Sequence, residues 1–305
     1  MSPLYIILNS VFLLIILVLI FNYLKKKFKK YNAIFRINGF DGIYFYFKNK
    51  NLKNTGIWNF IDKKKFILGK KLSKFSKERI LFGPYSGTKF IFSYGWSNVD
   101  FGSKYLGIYE KQIQKKIIFL RNKFKIKFFV DCGAAEGYHI ISLLNKKIFD
   151  KGIAFEIDKK SREILDKNAI ANNVKKKISI YSEANFNSLK ININKKNLKK
   201  TLFLLDIEGG EFELFDSSFC KYFSQSYFIV EDHSFLILNK KKINLFHRNI
   251  KKYFNVEIIK DELKNPLDYE VLNDYTEDEK YLIMSEGRPK TMQWILLSPK
   301  KTKLN

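Results

Sequence analysis

The sequence predicts an α/β chain: a seven-stranded sheet with helices on both faces, preceded by one transmembrane helix. Three observations carry this. Residues 1–24 hold no charged side chain. From Lys127 onward, short apolar runs alternate with longer amphipathic stretches. No internal repeat and no Pro- or Ser-rich linker interrupts that alternation. Strands that alternate with helices imply a parallel sheet buried on both faces.

The elements follow in order. Pro3 to Leu24 reads PLYIILNSVFLLIILVLIFNYL. At about 1.5 Å per residue it is long enough to cross a hydrocarbon core of roughly 30 Å. It lacks a basic n-region and a small-x-small cleavage site, so it reads as an anchor and not as a signal peptide. Five lysines lie within Lys25–Lys30 and none precedes the run, which orients that flank to the cytoplasm. The expectation is a single-pass membrane protein: an anchor over 1–24, a basic and strand-rich region over 25–104, and a globular domain over 105–305 in the cytoplasm.

Residues 31–60, with Ile43-Tyr44-Phe45-Tyr46-Phe47, read as a strand or two. Residues 61–79 are Lys-rich and suit a loop or a basic helix. Gly83-Pro84-Tyr85-Ser86-Gly87 is a turn cluster. Lys89–Tyr94 is strand-like, and Leu106, Ile113, Ile117 and Leu120 predict one amphipathic helix from Tyr105 to about Asn122. Strands are then expected at 127–130, 153–156, 178–181, 201–206, 227–231, 256–259 and 294–297. Helices fall between them, as at 159–172 and 240–253. The acid-rich stretch from Asp261 to Glu286 suits a solvated loop, or a lid over a site.

Composition excludes several classes. Length and a 46% hydrophobic content exclude a disordered chain. Cys132 and Cys220 give neither a disulfide framework nor a cysteine zinc site. The net charge of +26 suggests nucleic acid or an anionic membrane as partner. Only six of the 56 basic residues are arginine, however, whereas nucleic-acid readers lean on Arg for bidentate contacts. No nucleic-acid partner is expected.

Chemistry is expected beyond the carboxyl ends of the strands. The first strand runs into Asp131-Cys132-Gly133-Ala134-Ala135-Glu136-Gly137-Tyr138. Glycines 133 and 137 permit a tight turn close to a ligand. Asp131 and Glu136 would repel a diphosphate but suit a cation, and S-adenosylmethionine carries a sulfonium and an amino group. Glu156 ends the second strand, where an acid accepts both ribose hydroxyls. Glu183, beyond the third, is placed to approach an adenine. The fourth and fifth strands run into Asp206-Ile207-Glu208-Gly209-Gly210-Glu211 and Glu231-Asp232-His233. Between Leu202 and His233 lie seven acids and one lysine, Lys221. Such a set can bind a metal, hold a cation or remove a proton. Glu211 and Glu213 read as acids that offset a helix macrodipole. His139 and His247 read as structural.

From about Gly83 to Pro299 the chain resembles the FkbM-type S-adenosylmethionine-dependent methyltransferases. Val130–Tyr138 is similar to the cofactor loop common to that superfamily. Leu205–Glu211 is similar to the more distinctive Asp-x-Glu-Gly-x-Glu signature, with Gly210 departing from the usual alanine or tyrosine. Leu106–Glu110, and Arg288-Pro289 with Met292 and Trp294, resemble segments of a subset of relatives. The resemblance implies a Rossmann-like seven-stranded methyltransferase sheet and S-adenosyl-L-methionine as cofactor. It also implies O-methylation of a sugar, glycan or related metabolite. On that reading Asp131, Gly133, Glu136, Gly137, Glu156, Glu183 and Asp206 serve the cofactor, and Asp206, Glu208 and His233 serve catalysis, with no resident metal. The rivals are a catalytically inactive binding module of the same fold and a membrane-tethered nucleic-acid methyltransferase.

Overall fold

A computed structural model of the chain describes residues 22–23, 25, 57–91, 99–288 and 290–302. Apart from residues 22–23, the expected anchor over 1–24 lies outside the described residues, as does the strand or two expected over 31–60 apart from 57–60. Among the described residues no helix is long and apolar enough to cross a membrane. One compact unit spans Ile57–Asn305.

Seven strands form one sheet: β1 Phe128–Cys132, β2 Lys151–Phe155, β3 Ile178–Tyr181, β4 Thr201–Leu205, β5 Tyr227–Glu231, β6 Phe254–Lys260 and β7 Gln293–Pro299. Their order is β3-β2-β1-β4-β5-β7-β6, and β1 to β5 pair in parallel. β7 runs antiparallel to both neighbours, β5 and β6. The sheet is therefore mixed, and β7 is inserted between β5 and β6.

Side chains alternate between two apolar layers with the period of two that a strand imposes. Phe129, Leu202, Leu204, Ile229 and Leu296 belong to one layer, while Val130, Phe203, Leu205, Phe228 and Leu297 belong to the other. The second layer is rich in phenylalanine: Phe203 stacks on Phe228 with ring centroids 4.6 Å apart, and Phe215 meets Phe228 edge-on. Near-complete burial on both faces explains why these strands read as continuous apolar runs.

The helices that matter here are α1 Ile57–Phe75, α2 Phe101–Leu106, α3 Lys111–Phe124, α4 Tyr138–Asn145, α5 Lys159–Ala171, α6 Phe186–Asn192, α7 Glu211–Leu214, α8 Ser217–Tyr222, α9 Lys240–Tyr253 and α10 Glu277–Met284. Four expectations change. Residues 61–75, which suit a loop or a basic helix, belong to α1, and 57–60 are helical, not strand. The single helix expected from Tyr105 is two, because Gly107 at φ +86° and Glu110 at φ +49° break it. A Cβ at residue 107 would lie 2.0 Å from the Phe82 carbonyl oxygen, so glycine alone fits that crossing. Of the strand expected over 89–94, Lys89 makes one isolated bridge to Arg79, and 92–94 lie outside the described residues. The stretch 261–286 is neither lid nor solvated loop: Tyr269, Leu272, Tyr275, Ile283 and Met284 are buried in a third cluster with Leu68 and Leu72 of α1 and Tyr105 and Leu106 of α2.

Candidate active site

β1 and β4 are neighbours, and successive strands are laid outward from them in opposite directions. A crevice at the carboxyl ends of such a pair is where open α/β sheets bind ligands. The two loops touch there. The Asp206 N–H donates to the Cys132 carbonyl at 2.9 Å. Gly133 has φ +84°, and a Cβ on it would lie 1.7 Å from the Asp206 carbonyl oxygen. Gly133 is thus demanded first by the approach of two backbones, before any ligand enters.

A cavity of about 600 Å³ opens at this point. Of the residues predicted for the site, Gly133, Glu136, Glu156, Glu183, Asp206 and Glu208 line it. Gly137 and Asp131 do not. Gly137 caps α4 and faces Ile141 and Leu165, so its role is helix packing. Asp131 is 3% exposed beneath the loop, where burial pushes its carboxyl up to about 7. His233 also lies behind the wall, 4% exposed.

Glu156 is fixed by the backbone. Its Oε2 accepts from the Ala135 N–H at 2.8 Å and its Oε1 from the Asp158 N–H at 2.7 Å. Both donors sit in the turns that border the cavity, so the carboxylate is oriented before a ligand arrives. Burial nevertheless raises its pKa. Glu183 accepts from Asn185 Nδ2 at 2.8 Å on the far side.

His233 stands among carboxylates. Its Nδ1 faces Glu211 Oε1 at 3.2 Å, and that oxygen also accepts the Ile207 N–H at 2.8 Å. Its Nε2 lies 3.5 Å from Glu231, 3.6 Å from Asp206 and 3.7 Å from Glu208, separations of charge attraction and not of hydrogen bonding. Burial lowers the His233 pKa, but Glu211 and Asp206 more than offset it, and the imidazole is raised above its ordinary value. Burial holds Asp206 up at about 6, even though His233 pulls it down. Asp206, Glu211 and His233 each offer a ligand atom within 4.8 Å of the others, a spacing open to a divalent cation. Glu208 holds φ +52°, a strained conformation for a residue with a side chain, and projects into solvent at the rim.

Sequence reasoning missed three features. Glu211, read as a helix-end acid, is fully buried and orients His233. Lys104 of α2 lines the cavity while 6% exposed, paired with Asp100 at 2.8 Å and 4.0 Å from Glu136. Burial lowers its pKa, yet Asp100 and Glu136 leave it raised overall. Finally, Arg288 joins Glu110, Glu231 and Glu286 in one buried cluster. Burial alone would raise the Glu110 carboxyl, but Arg288 and His139 bring it down to about 2. His139, expected to be structural, links Glu110 at 2.9 Å to the Tyr85 hydroxyl at 3.0 Å. Arg288 stands five residues before β7, and nothing in its local sequence names the acids it pairs with. Only the fold brings it to Glu110, 178 residues away.

No family model matches the chain, and no curated protein matches it. Solved structures do. A putative O-methyltransferase from Klebsiella pneumoniae is 8% identical with a TM-score of 0.42, over 83% of this chain and 94% of that one. An O-methyltransferase from Bacillus cereus, in complex with SAH, is 9% identical with a TM-score of 0.43, over 62% of this chain and 82% of that one. A putative tRNA (m1A22) methyltransferase from Streptococcus pneumoniae is 14% identical with a TM-score of 0.40, over 62% and 72%. Likeness at this level carries no functional argument, so function is read from the cavity itself.

Proposed function

We propose that the chain is an S-adenosyl-L-methionine-dependent methyltransferase of FkbM type that O-methylates a sugar, glycan or related hydroxylated metabolite. On this reading an N-terminal anchor holds the domain at the cytoplasmic face of a membrane. One observation carries the proposal. The switch-point cavity is lined by eight carboxylates (Asp100, Glu136, Glu156, Glu183, Asp206, Glu208, Glu213 and Asp216) against one lysine, Lys104. Few cofactors suit so acidic a crevice. A diphosphate is excluded by repulsion. A ligand with two cationic centres, one carboxylate and a ribose fits the donor set.

Glu156 accepts the ribose hydroxyls, and Phe155, Ile157 and Phe186 give an apolar wall for a base. Lys104 meets the ligand carboxylate, and Asp100 and Glu136 meet its ammonium. The cofactor, when bound, supplies an electrophilic methyl group on a positively charged sulfur. Asp206 takes the proton of the acceptor hydroxyl. Burial makes it a stronger base than a free carboxylate while leaving it ionised at neutral pH. Glu211 fixes the ring of His233, which holds the charge of Asp206 in place. Glu208, at the exposed rim, orients the acceptor.

Calorimetry of the full chain with S-adenosylmethionine and S-adenosylhomocysteine tests the binding step. Wild type is expected to bind both, and Glu156→Ala to lose at least about tenfold, the loss expected for even one hydrogen bond to a charged group. No binding by wild type overturns the proposal. Mass spectrometry of surface glycans with and without the gene tests transfer. Cofactor binding without any methylated product would identify an inactive module instead.

A further inference from the structure

The edge of the sheet opposite the cavity has a composition of its own. Four segments lead into the parallel strands β1 to β4: 121–127 (RNKFKIK), 146–151 (KKIFDK), 175–177 (KKK) and 194–200 (NKKNLKK). Fourteen of these 23 residues are basic and one, Asp150, is acidic. The chain as a whole has 56 basic residues in 305, so compositional drift toward lysine does not account for the excess. Register brings the segments together. Phe128 is level with Lys151 and with Thr201, and Gly152 is level with Ile178. The Lys127 N–H donates to the Lys200 carbonyl at 2.9 Å. Among these residues Lys125, Lys127, Lys151, Lys176 and Lys199 are exposed. A depression of about 300 Å³, lined in part by Lys151, Lys176, Lys177, Asn194 and Asn197, opens on the same edge.

Apolar side chains stand among these charges. α3, α5 and α6 all run toward this edge, since each leads into the start of a parallel strand. Near their carboxyl ends they expose Phe119 (44%), Ile170 (57%) and Ile191 (80%). The Nζ atoms of Lys116 and Lys123 lie 5.6 and 5.2 Å from the centre of the Phe119 ring. The opposite edge carries the acidic cavity mouth. The domain is therefore polarised along its strands.

We propose that the amino-terminal edge of the sheet docks on an anionic lipid bilayer and holds the cavity mouth away from it. Lysine is a point charge suited to many diffuse phosphates, and exposed aliphatic side chains partition into the headgroup boundary. A nucleic-acid groove would instead call for arginine forks and aromatic faces that stack on bases. The acidic mouth is repelled by the same surface potential that attracts the lysines, so the two ends act together to set orientation. In combination with the methyltransferase reading, on which this last step rests, the acceptor enters from water and not from the bilayer.

The test is a lysine footprint of the full chain in lipid nanodiscs. One set is made of phosphatidylcholine alone and the other of phosphatidylcholine with phosphatidylglycerol. Acetylation by a soluble reagent is read by mass spectrometry. Lys125, Lys127, Lys151, Lys176 and Lys199 are expected to react about fivefold more slowly on the anionic discs, with the difference removed by high salt. Lys159 and Lys160, at the start of α5 near the mouth, are expected to react equally on both. The triple variant Lys151→Glu/Lys176→Glu/Lys199→Glu, shown folded by circular dichroism, is expected to lose the protection of Lys125 and Lys127. Equal rates on both discs, or protection of Lys159 and Lys160 instead, overturn the proposal. So does stronger protection by RNA in neutral discs. The footprint needs no turnover, so its failure leaves methyl transfer standing, and failed cofactor binding leaves the footprint standing.

Discussion

Arg288→Gln removes the cation shared by Glu110, Glu231 and Glu286. The arginine side chain is 16% exposed and the three carboxylates are 2%, 2% and 5% exposed, so water compensates little. Stripping one partner from a buried ion pair costs about 3–5 kcal/mol. Each acid here keeps a second partner: Glu110 has His139, Glu286 has Lys264, and Glu231 has His233 at 3.5 Å. The lower end, about 3 kcal/mol, is therefore expected. For a domain of this size that lowers the thermal midpoint by roughly 6–12 °C. The loss also depends on pH. Burial and Asp206 already raise the Glu231 pKa, and removing Arg288 raises it further. The deficit is full where wild-type Glu231 is ionised, and shrinks as acid protonates it in the variant. The assay is thermal unfolding of both proteins at neutral pH and near pH 5. A drop under about 2 °C, or the same drop at both pH values, would refute the reasoning. Glu231→Met/Arg288→Met, which removes a charge of each sign, is expected to recover more than half of the loss.

Three further outcomes are expected. Gly133→Ala should destabilise the domain by at least about 2 kcal/mol even without ligand, from a positive φ and a backbone clash, whereas Gly210→Ala at φ −65° should change stability by less than about 1 kcal/mol. Denaturant titration separates the two, and equal effects would refute the contact between the loops. If Asp206 is the base, kcat/KM rises with pH through about 6, because the ionised form accepts the proton and is lost as pH falls below that value. A flat profile from pH 5 to 8, measured as methyl transfer, would assign the base elsewhere. Glu211→Gln keeps an acceptor for the Ile207 N–H but removes the charge beside His233. Its imidazole should then titrate at lower pH by NMR, and an unmoved titration would show that Glu211 does not hold the ring.

Much of this fold is written locally. The strands are short apolar runs because both faces are buried, and Gly133, Glu156 and Asp206 sit next to strand ends that are legible one at a time. The order of the strands is not legible in the same way. Nothing in Gln293–Pro299 announces that it inserts antiparallel between β5 and β6, since an edge strand and an inserted one share the same alternation. Glu211 reads as a helix-end acid because its burial is decided by α9 and its partner is His233, both of which come later in the chain. The segment 261–286 reads as solvated because nine acids are spread through it, yet apolar residues set between them close a cluster on α1 and α2. Lys104 and Arg288 became site residues through contacts far apart in sequence, which no local pattern records.

The inserted β7 has a consequence for how the molecule comes into being. Ribosomal synthesis delivers β5 and β6 before the strand that joins them. Until β7 arrives, β6 has no partner in the sheet, and Glu231 at the tip of β5 lacks Arg288, carried five residues ahead of β7. Assembly of the chemical centre is thus coupled to the arrival of β7: a chain interrupted before residue 288 leaves β6 without a partner strand and Glu231 without its arginine.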